Sequence, residues 1–328
     1  MRASHVAVLI NSLRKHKLTM NQIHTVLGAG PVAKATVNAL MARGLPVRVV
    51  HRSGTFPAQH GVEVVAADTS NLNQLTKAFK GSAVVYMCAM PAYHRWAEEF
   101  DAMMQNILQA CATNGSAMVF ADNLYMYQES PHAPLTESTP LRPITRKGVV
   151  RARVAELVLQ AHRDGKVKTA IARASDFFGP KVENAMLGGR FFPQLIAGKT
   201  VQWFGNPDMP HTFTYVPDFG NALVELGVDG AGWGEVWHVP NCITCTAREA
   251  ADATAALTKQ PVKLKGGGRL MLRVIGFFIP AAKEMIEMLP HFETPYVVDD
   301  SKWRSRMQTK ATPWREALSV TLASYQTN

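Results

Sequence analysis

Gly28-Ala29-Gly30-Pro31-Val32-Ala33 is a G-x-G-x-x-A run. Glycines at that spacing let a backbone turn tightly and come close to a pyrophosphate. Gly28 supplies the turn, Gly30 the close approach, and Ala33 a surface small enough for a helix to pack on a strand. Pro31 and Val32 open the helix whose first N–H groups would face the phosphates. The next strand ends in His51-Arg52-Ser53, about 20 residues after the glycines, where an NAD-preferring site carries Asp or Glu. No acid stands there. Arg52, aided by His51 and Ser53, is instead suited to the 2′-phosphate of NADP through charge-assisted hydrogen bonds. NADP(H) is the expected cofactor and NAD(H) the less favoured one; the bland readings are a glycine turn without a ligand and a merely exposed arginine.

The elements around the turn are those it needs. Ile23–Leu27 reads as a buried strand and 33–43 as a helix closed by Gly44, so the glycines lie between strand and helix. Strands at 46–50, 62–66, 83–87, 117–121 and 169–173 then alternate with helices at 72–79, 96–113 and 148–162. Alternation at this spacing predicts an α/β fold with a doubly wound parallel sheet, a Rossmann domain over 20–180 to which 216–237 returns. A smaller substrate subdomain is expected from 181–215 and 238–300, a C-terminal helical region over 301–328, and a flexible extension over 1–19.

Composition narrows the class. The chain has 328 residues, 47% hydrophobic and 18% charged, with a net charge of +10. Much of that excess is local, in Arg14–Lys17 and in Arg142, Arg146, Lys147, Arg151 and Arg153. No interleaving of aromatic and basic residues accompanies it, so no nucleic-acid partner is expected. Cys88, Cys111, Cys242 and Cys245 form no disulfide framework, and the Cys242-x-x-Cys245 pair has no second pair to complete a metal site, so reduced thiols, no metal and a cytoplasmic location are expected. Residues 5–10 are too short an apolar run to span a bilayer. The stretch 270–289 is broken by Arg273, Pro280, Lys283, Glu284 and Glu287 and reads as two amphipathic helices rather than an integral membrane span.

Ordered marks along the chain resemble the extended short-chain dehydrogenases/reductases of the NAD-dependent epimerase/dehydratase superfamily. They are the glycine turn, Ala67-Asp68, Cys88-Ala89-Met90-Pro91, Asp122–Tyr127, Thr136–Pro140, Arg173–Pro180, Phe213–Asp218 and Asp300–Trp303. The resemblance implies cofactor contacts at Asp68, Ala89, Met90, Pro91, Asp122, Lys147, Arg151, Ser175 and Asp176, and a small-molecule substrate. It also implies a homodimer, because helices 96–113 and 148–162 occupy positions that form a four-helix interface in relatives.

The resemblance has a gap. Relatives place a serine near the end of the fifth strand and a Tyr-x-x-x-Lys pair on the active-site helix, the tyrosine as acid/base and the lysine holding the nicotinamide ribose. Here the serine-rich turn reads Asp122-Asn123, the tyrosine position falls at Lys147 and the lysine position at Arg151, and no tyrosine occurs between Tyr127 and Tyr215. Three readings follow. Lys147 donates the proton, if burial together with Arg146 and Arg151 disfavours its ammonium form. Tyr125 or Tyr127, beside Asn123, supplies a phenol from the opposite side. Or Lys147 and Arg151 only grip the cofactor.

Tyr93, His94 and Trp96 follow the fourth strand at the carboxyl edge, where doubly wound folds bind ligands. Phe178, Phe192, Trp203 and His211 come from segments that form the lid in relatives. These aromatics point to hydride transfer between NADP(H) and a hydrophobic or aromatic carbonyl or alcohol, and against a nucleotide sugar. A sugar-derivative epimerase or dehydratase and a non-catalytic NADP(H) sensor are the alternatives.

Overall fold

A computed structural model of the protein describes residues 22–127, 133–267 and 286–326. The extension 1–19 and all but the last residues of the 270–289 helical pieces lie outside the described residues. In chain order the first half runs β1 (Ile23–Leu27), α1 (Pro31–Ala42), β2 (Val47–His51), β3 (Val62–Ala66), α2 (Leu72–Ala78), β4 (Ser82–Met87), α3 (Trp96–Asn114), β5 (Ala117–Asp122), α4 (Arg146–Arg163) and β6 (Thr169–Arg173). The second half adds β7 (Asp176–Phe178), α5 (Phe192–Ile196), β8 (Val201–Phe204), β9 (His211–Tyr215), α6 (Val216–Asp229) and β10 (Val236–His238). It ends with β11 (Ile243–Cys245), α7 (Ala247–Thr258), β12 (Leu264–Gly267), α8 (Pro290–Glu293), α9 (Ser301–Arg306) and α10 (Trp314–Gln326).

The parallel seven-stranded sheet has the order β10-β6-β5-β4-β1-β2-β3. Its inner strands β6, β5, β4 and β1 are largely buried on both faces because helices cover both, as parallel sheets require. On one face Leu75, Phe100, Ile107, Val154 and Val158 bring α2, α3 and α4 down onto β4 and β5. On the other, Val37, Leu40, Phe219, Leu223, Trp237 and Trp303 bring in α1, α6, β10 and α9. β1 lies between β2 and β4, so the chain reverses direction across the sheet there, and ligands of such folds bind in the crevice outside the carboxyl ends at that point.

The fold class is the one the alternation predicts, and the main differences are local. Helix α4 starts two residues earlier than its apolar pattern indicates, because the Thr145 hydroxyl accepts from the Gly148 N–H at 2.9 Å and caps it. The β11-β9-β7 sheet and the β12-β8 pair lie outside the alternation read from the sequence; β7, β8, β11 and β12, of three or four residues each, are too short to show a pattern.

The C-terminal tail clasps the sheet domain through two buried carboxylates on α6. Glu225 accepts from the backbone N–H groups of Gln308 and Thr309 at 2.5 and 2.7 Å. Asp218 accepts from the N–H and hydroxyl of Thr312, both at 2.7 Å. Among the described residues no helix is long and apolar enough to cross a membrane.

Candidate functional site

The glycine turn has the shape its sequence implies. Gly28 has φ +121°, and a Cβ there would stand 3.1 Å from the backbone nitrogen of Ala89, so the turn packs directly on the end of β4. Gly30 is exposed and a Cβ would meet nothing within 4 Å. No side chain caps α1. The first turn of that helix therefore presents backbone N–H groups to open space, which fits a phosphate. At the end of β2, His51 and Ser53 hold each other at 2.8 Å, whereas exposed Arg52 makes no hydrogen bond or ion pair among the described residues. Asp68 lies across from it and is tied to Ser70, whose hydrogen bonds hold its carboxyl below the usual range.

Under the carboxyl ends of β5 and β6 lies a buried charge network. Asp122 takes Arg151 on one oxygen and Arg173 on the other, each at 3.1 Å. Arg173 donates to the Tyr127 hydroxyl at 2.6 Å, which also meets His238 Nε2 at 3.1 Å. The Arg151 guanidinium lies 4.3 Å over the Trp96 ring and 4.9 Å from that of Phe100. Its Nε is buried without a hydrogen-bond partner among the described residues.

Several expectations change here. Asp122, 2% exposed, has both oxygens engaged in the network, so its carboxylate is committed to Arg151 and Arg173. Tyr127, 1% exposed, has its hydroxyl committed to Arg173 and His238 and is not an accessible acid. Ser175 is buried against Thr214, and the Asn123 side chain accepts from the Tyr125 N–H and shapes the loop. Phe178, Phe192 and Trp203 are buried. They form the core of the smaller half together with Phe191, Phe213 and Leu318. Helical and strand periodicity marks a side chain as inward-facing without telling core from cavity.

What remains above the network is a compact polar and aromatic cluster. Gly148 sits in the first turn of α4, and a Cβ there would overlap the carbonyl oxygen of Tyr125. The missing side chain thus lets the loop after β5 lie against the helix, in the space beside Lys147 and Arg151. The Tyr93 and Tyr125 hydroxyls share a hydrogen bond, and Lys147 Nζ lies 4.4 Å over the Tyr93 ring. Burial holds the Tyr125 phenol well above its ordinary range, Asp176 adds to the shift, and Arg151 opposes it.

Lys147 meets a carboxylate rather than only the like charges its neighbours suggested. Glu287 accepts from its backbone N–H at 3.0 Å and from its Nζ at 3.2 Å. A cleft of about 100 Å³ opens here, lined by Tyr93, His94, Trp96, Lys147, Val150 and Glu287. His94 is exposed at its mouth, on the short turn Tyr93–Arg95, and Met90 is exposed with its sulfur 3.8 Å from Arg151. Deeper in, the His291 ring stacks on Tyr125 at 5.6 Å, and Tyr296 stacks on His211 at 4.7 Å. Burial pushes the His291 imidazole down to about 4. Sequence reading missed Glu287, His291 and Tyr296, since no local pattern links residues 140 positions apart.

A doubly wound sheet with a glycine turn at its switch point and a polar cluster at its carboxyl edge defines a nucleotide-binding enzyme fold. The family model for the NAD dependent epimerase/dehydratase family matches residues 25–231, and the chain belongs to that family. Two Arabidopsis thaliana relatives described as 3beta-hydroxysteroid-dehydrogenase/decarboxylase are 24% and 25% identical over 68% of this chain. The aligned chain covers 39% and 50% of their lengths. A solved epimerase from Methanothermobacter thermautotrophicus superposes with a TM-score of 0.78 at 17% identity, covering 95% of this chain and 94% of its own. A Thermus thermophilus UDP-glucose 4-epimerase in complex with NAD gives 0.76 at 18%, with coverages of 93% and 99%. A Streptomyces venezuelae dTDP-glucose 4,6-dehydratase with NAD gives 0.76 at 19%, with 94% and 97%.

Proposed function

We propose that the protein is a dinucleotide-dependent epimerase or dehydratase of a hydroxyl-rich, sugar-like substrate, with Tyr125 as the group that exchanges the substrate hydroxyl proton. The observation that carries the substrate class is the fate of the aromatic residues. Phe178, Phe192 and Trp203 are core, so they no longer argue for a hydrophobic substrate. The groups left at the carboxyl edge are phenols, carboxylates and an ammonium: Tyr93, Tyr125, Asp176, Glu287 and Lys147. Side chains of these types hydrogen-bond hydroxyls, while flat rings such as Trp96 and Tyr296 accept the apolar faces of a sugar. The nucleotide-sugar enzymes among the structural neighbours agree with this reading.

A bound dinucleotide would take a hydride from the substrate carbon and return it. Gly28, Gly30 and the first N–H groups of α1 would hold its pyrophosphate, Arg52 its 2′-phosphate, and Arg151, at the family's lysine position, would lie beneath its ribose. Trp96 and Asp122 fix Arg151 there, so positive charge faces the Tyr125 phenolate whenever it forms. Net oxidation of a hydrophobic alcohol is the second reading, favoured by the names of the two plant relatives. Incubation with dTDP-glucose, UDP-glucose and a panel of sterol alcohols separates the two. Conversion of a sugar nucleotide without accumulation of reduced cofactor supports the first; stoichiometric reduced cofactor with a sterol overturns it.

NADPH is expected to bind more tightly than NADH, because Arg52 stands where the acid of an NAD site would be. Arg52→Ala should weaken NADPH by about 1.5–3 kcal/mol and NADH little, measured by titration of both cofactors. Equal losses would refute the assignment. Gly30→Val should abolish binding of either dinucleotide with circular dichroism near that of the wild type, since the new side chain enters open space and not the sheet. Unchanged affinity would place the ligand elsewhere.

A further inference from the structure

Met90 follows β4 at the carboxyl edge of the sheet and is 48% exposed. Among the described residues it is the one methionine open to solvent; the others are buried or half-buried. Its sulfur accepts from Arg151 Nη2 at 3.8 Å, and Arg151 itself is 2% exposed. A guanidinium carries five N–H groups, and the protein supplies this one with few acceptors. Nη1 donates to Asp122 at 3.1 Å, Nη2 reaches only the Met90 sulfur, and Nε has no hydrogen-bond partner among the described residues. Asp122 has no oxygen to spare, because its other one takes Arg173. The Trp96 and Phe100 rings meet the cation through its face, so they do not replace acceptors at its edge. A thioether is a weak acceptor, whereas its sulfoxide is polar and carries an oxygen. An exposed, oxidisable sulfur therefore touches a buried cation that is short of acceptors.

We propose that Met90 is a site of reversible oxidation by hydroperoxides, with Arg151 holding the sulfoxide that forms. A sulfur lone pair attacks one peroxide oxygen, the S–O bond forms as the O–O bond breaks, and the other oxygen departs as water or an alcohol. The proton of the transferred oxygen reaches the departing one through solvent. Sulfur loses two electrons and the hydroperoxide gains them, so no further reagent enters. Arg151 lies on one side of the sulfur, which makes the two lone pairs inequivalent, and one of the two sulfoxide epimers predominates. The three torsions of the methionine side chain let the new oxygen turn to Nη2 and accept from it, a charge-assisted hydrogen bond stronger than the one to sulfur. Methionine sulfoxide reductases reverse the step. The effect on binding rests on the dinucleotide reading given above. A Cβ on Gly28 would stand 3.1 Å from the nitrogen of Ala89, the residue before Met90, so Met90 borders the glycine turn. A sulfoxide there takes the Arg151 donor away from the ribose, and oxidation weakens dinucleotide binding.

Peroxide treatment followed by peptide analysis tests the site without any dinucleotide. Folded protein is exposed to hydrogen peroxide, and oxidation of each methionine is followed by mass spectrometry of its peptides. The Met90 peptide is then treated with the two classes of methionine sulfoxide reductase, each specific for one epimer. Met90 is expected to oxidise about tenfold faster than half-buried Met41, Met186 and Met209, and its sulfoxide to be reduced mainly by one class. The same peptide oxidised after digestion should yield both epimers equally, which sets the baseline. NADPH and NADH are titrated before and after treatment. Oxidised wild type is expected to bind about tenfold more weakly and to recover on incubation with both reductases. Met90→Leu should show the same affinity with and without peroxide, whatever affinity it starts from. Oxidation of Met90 no faster than of the half-buried methionines, equal epimers in the folded protein, or unchanged affinity after oxidation overturns the proposal. So does a peroxide-induced loss in Met90→Leu equal to that of the wild type. A wild type that binds neither dinucleotide before treatment counts against the dinucleotide reading, and single-epimer oxidation of Met90 in that protein still upholds the modification site.

Discussion

Tyr125→Phe is expected to lower turnover by roughly 10²–10⁴-fold, the range for loss of a general acid or base, with dinucleotide affinity nearly unchanged. The substitution removes one hydroxyl and keeps the ring that stacks on His291, so a larger loss of affinity would signal a displaced loop. The pH dependence has a definite sign. Burial raises the phenol, so near neutrality Tyr125 is protonated and ready to donate. Removing a proton from an alcohol needs the phenolate, whose fraction grows about tenfold per pH unit below the phenol's pKa. The wild-type rate of alcohol oxidation should therefore climb with pH above neutrality, and the Phe variant should lose that slope. Lys147→Met is the discriminating control. A comparable loss of turnover in that variant, with Tyr125→Phe unaffected, would transfer the role to the lysine.

Asp122→Ala is expected to destabilise the fold by about 3–5 kcal/mol, read as a lower urea midpoint with an unchanged slope. One carboxylate serves both Arg151 and Arg173, and both guanidiniums are buried. Its removal leaves two interior cations without a counter-charge. The stacking of Arg151 on Trp96 and Phe100 offsets only part of that, since a cation over a ring contributes about 0.5–2 kcal/mol. A loss under about 1 kcal/mol would mean that the guanidiniums relax toward solvent.

How far the sequence could be read depended on how far apart the interacting residues lie. The strand, glycine turn and helix at 23–42 are contiguous, and their chemistry is written in residue types that only a tight turn requires. The central sheet followed from the same local alternation. The candidate site did not. Tyr125 acquires its neighbourhood because Gly148 lacks a Cβ, and a glycine in a first helical turn reads as a weak helix position rather than as a docking surface for a loop. Glu287 and Tyr296 reach the cluster from the far end of the chain, and Asp176 meets His211 only through the β7–β9 register. For Phe178, Phe192 and Trp203 burial is legible in the sequence, whereas membership of the smaller half's core emerges only from the packing of distant segments.

The clasp on α6 bears on how the chain tolerates being shortened. Asp218 is 3% exposed and Glu225 2%, and their described donors are Gln308, Thr309 and Thr312. A stop codon or protease cut ahead of Met307 would strip both carboxylates of these donors at once, while a cut beyond Tyr325 would spare them. Segment 308–312 thus ties the integrity of the sheet domain to a stretch of chain far beyond α6: a fragment that lacks it keeps two interior carboxylates stripped of these described donors.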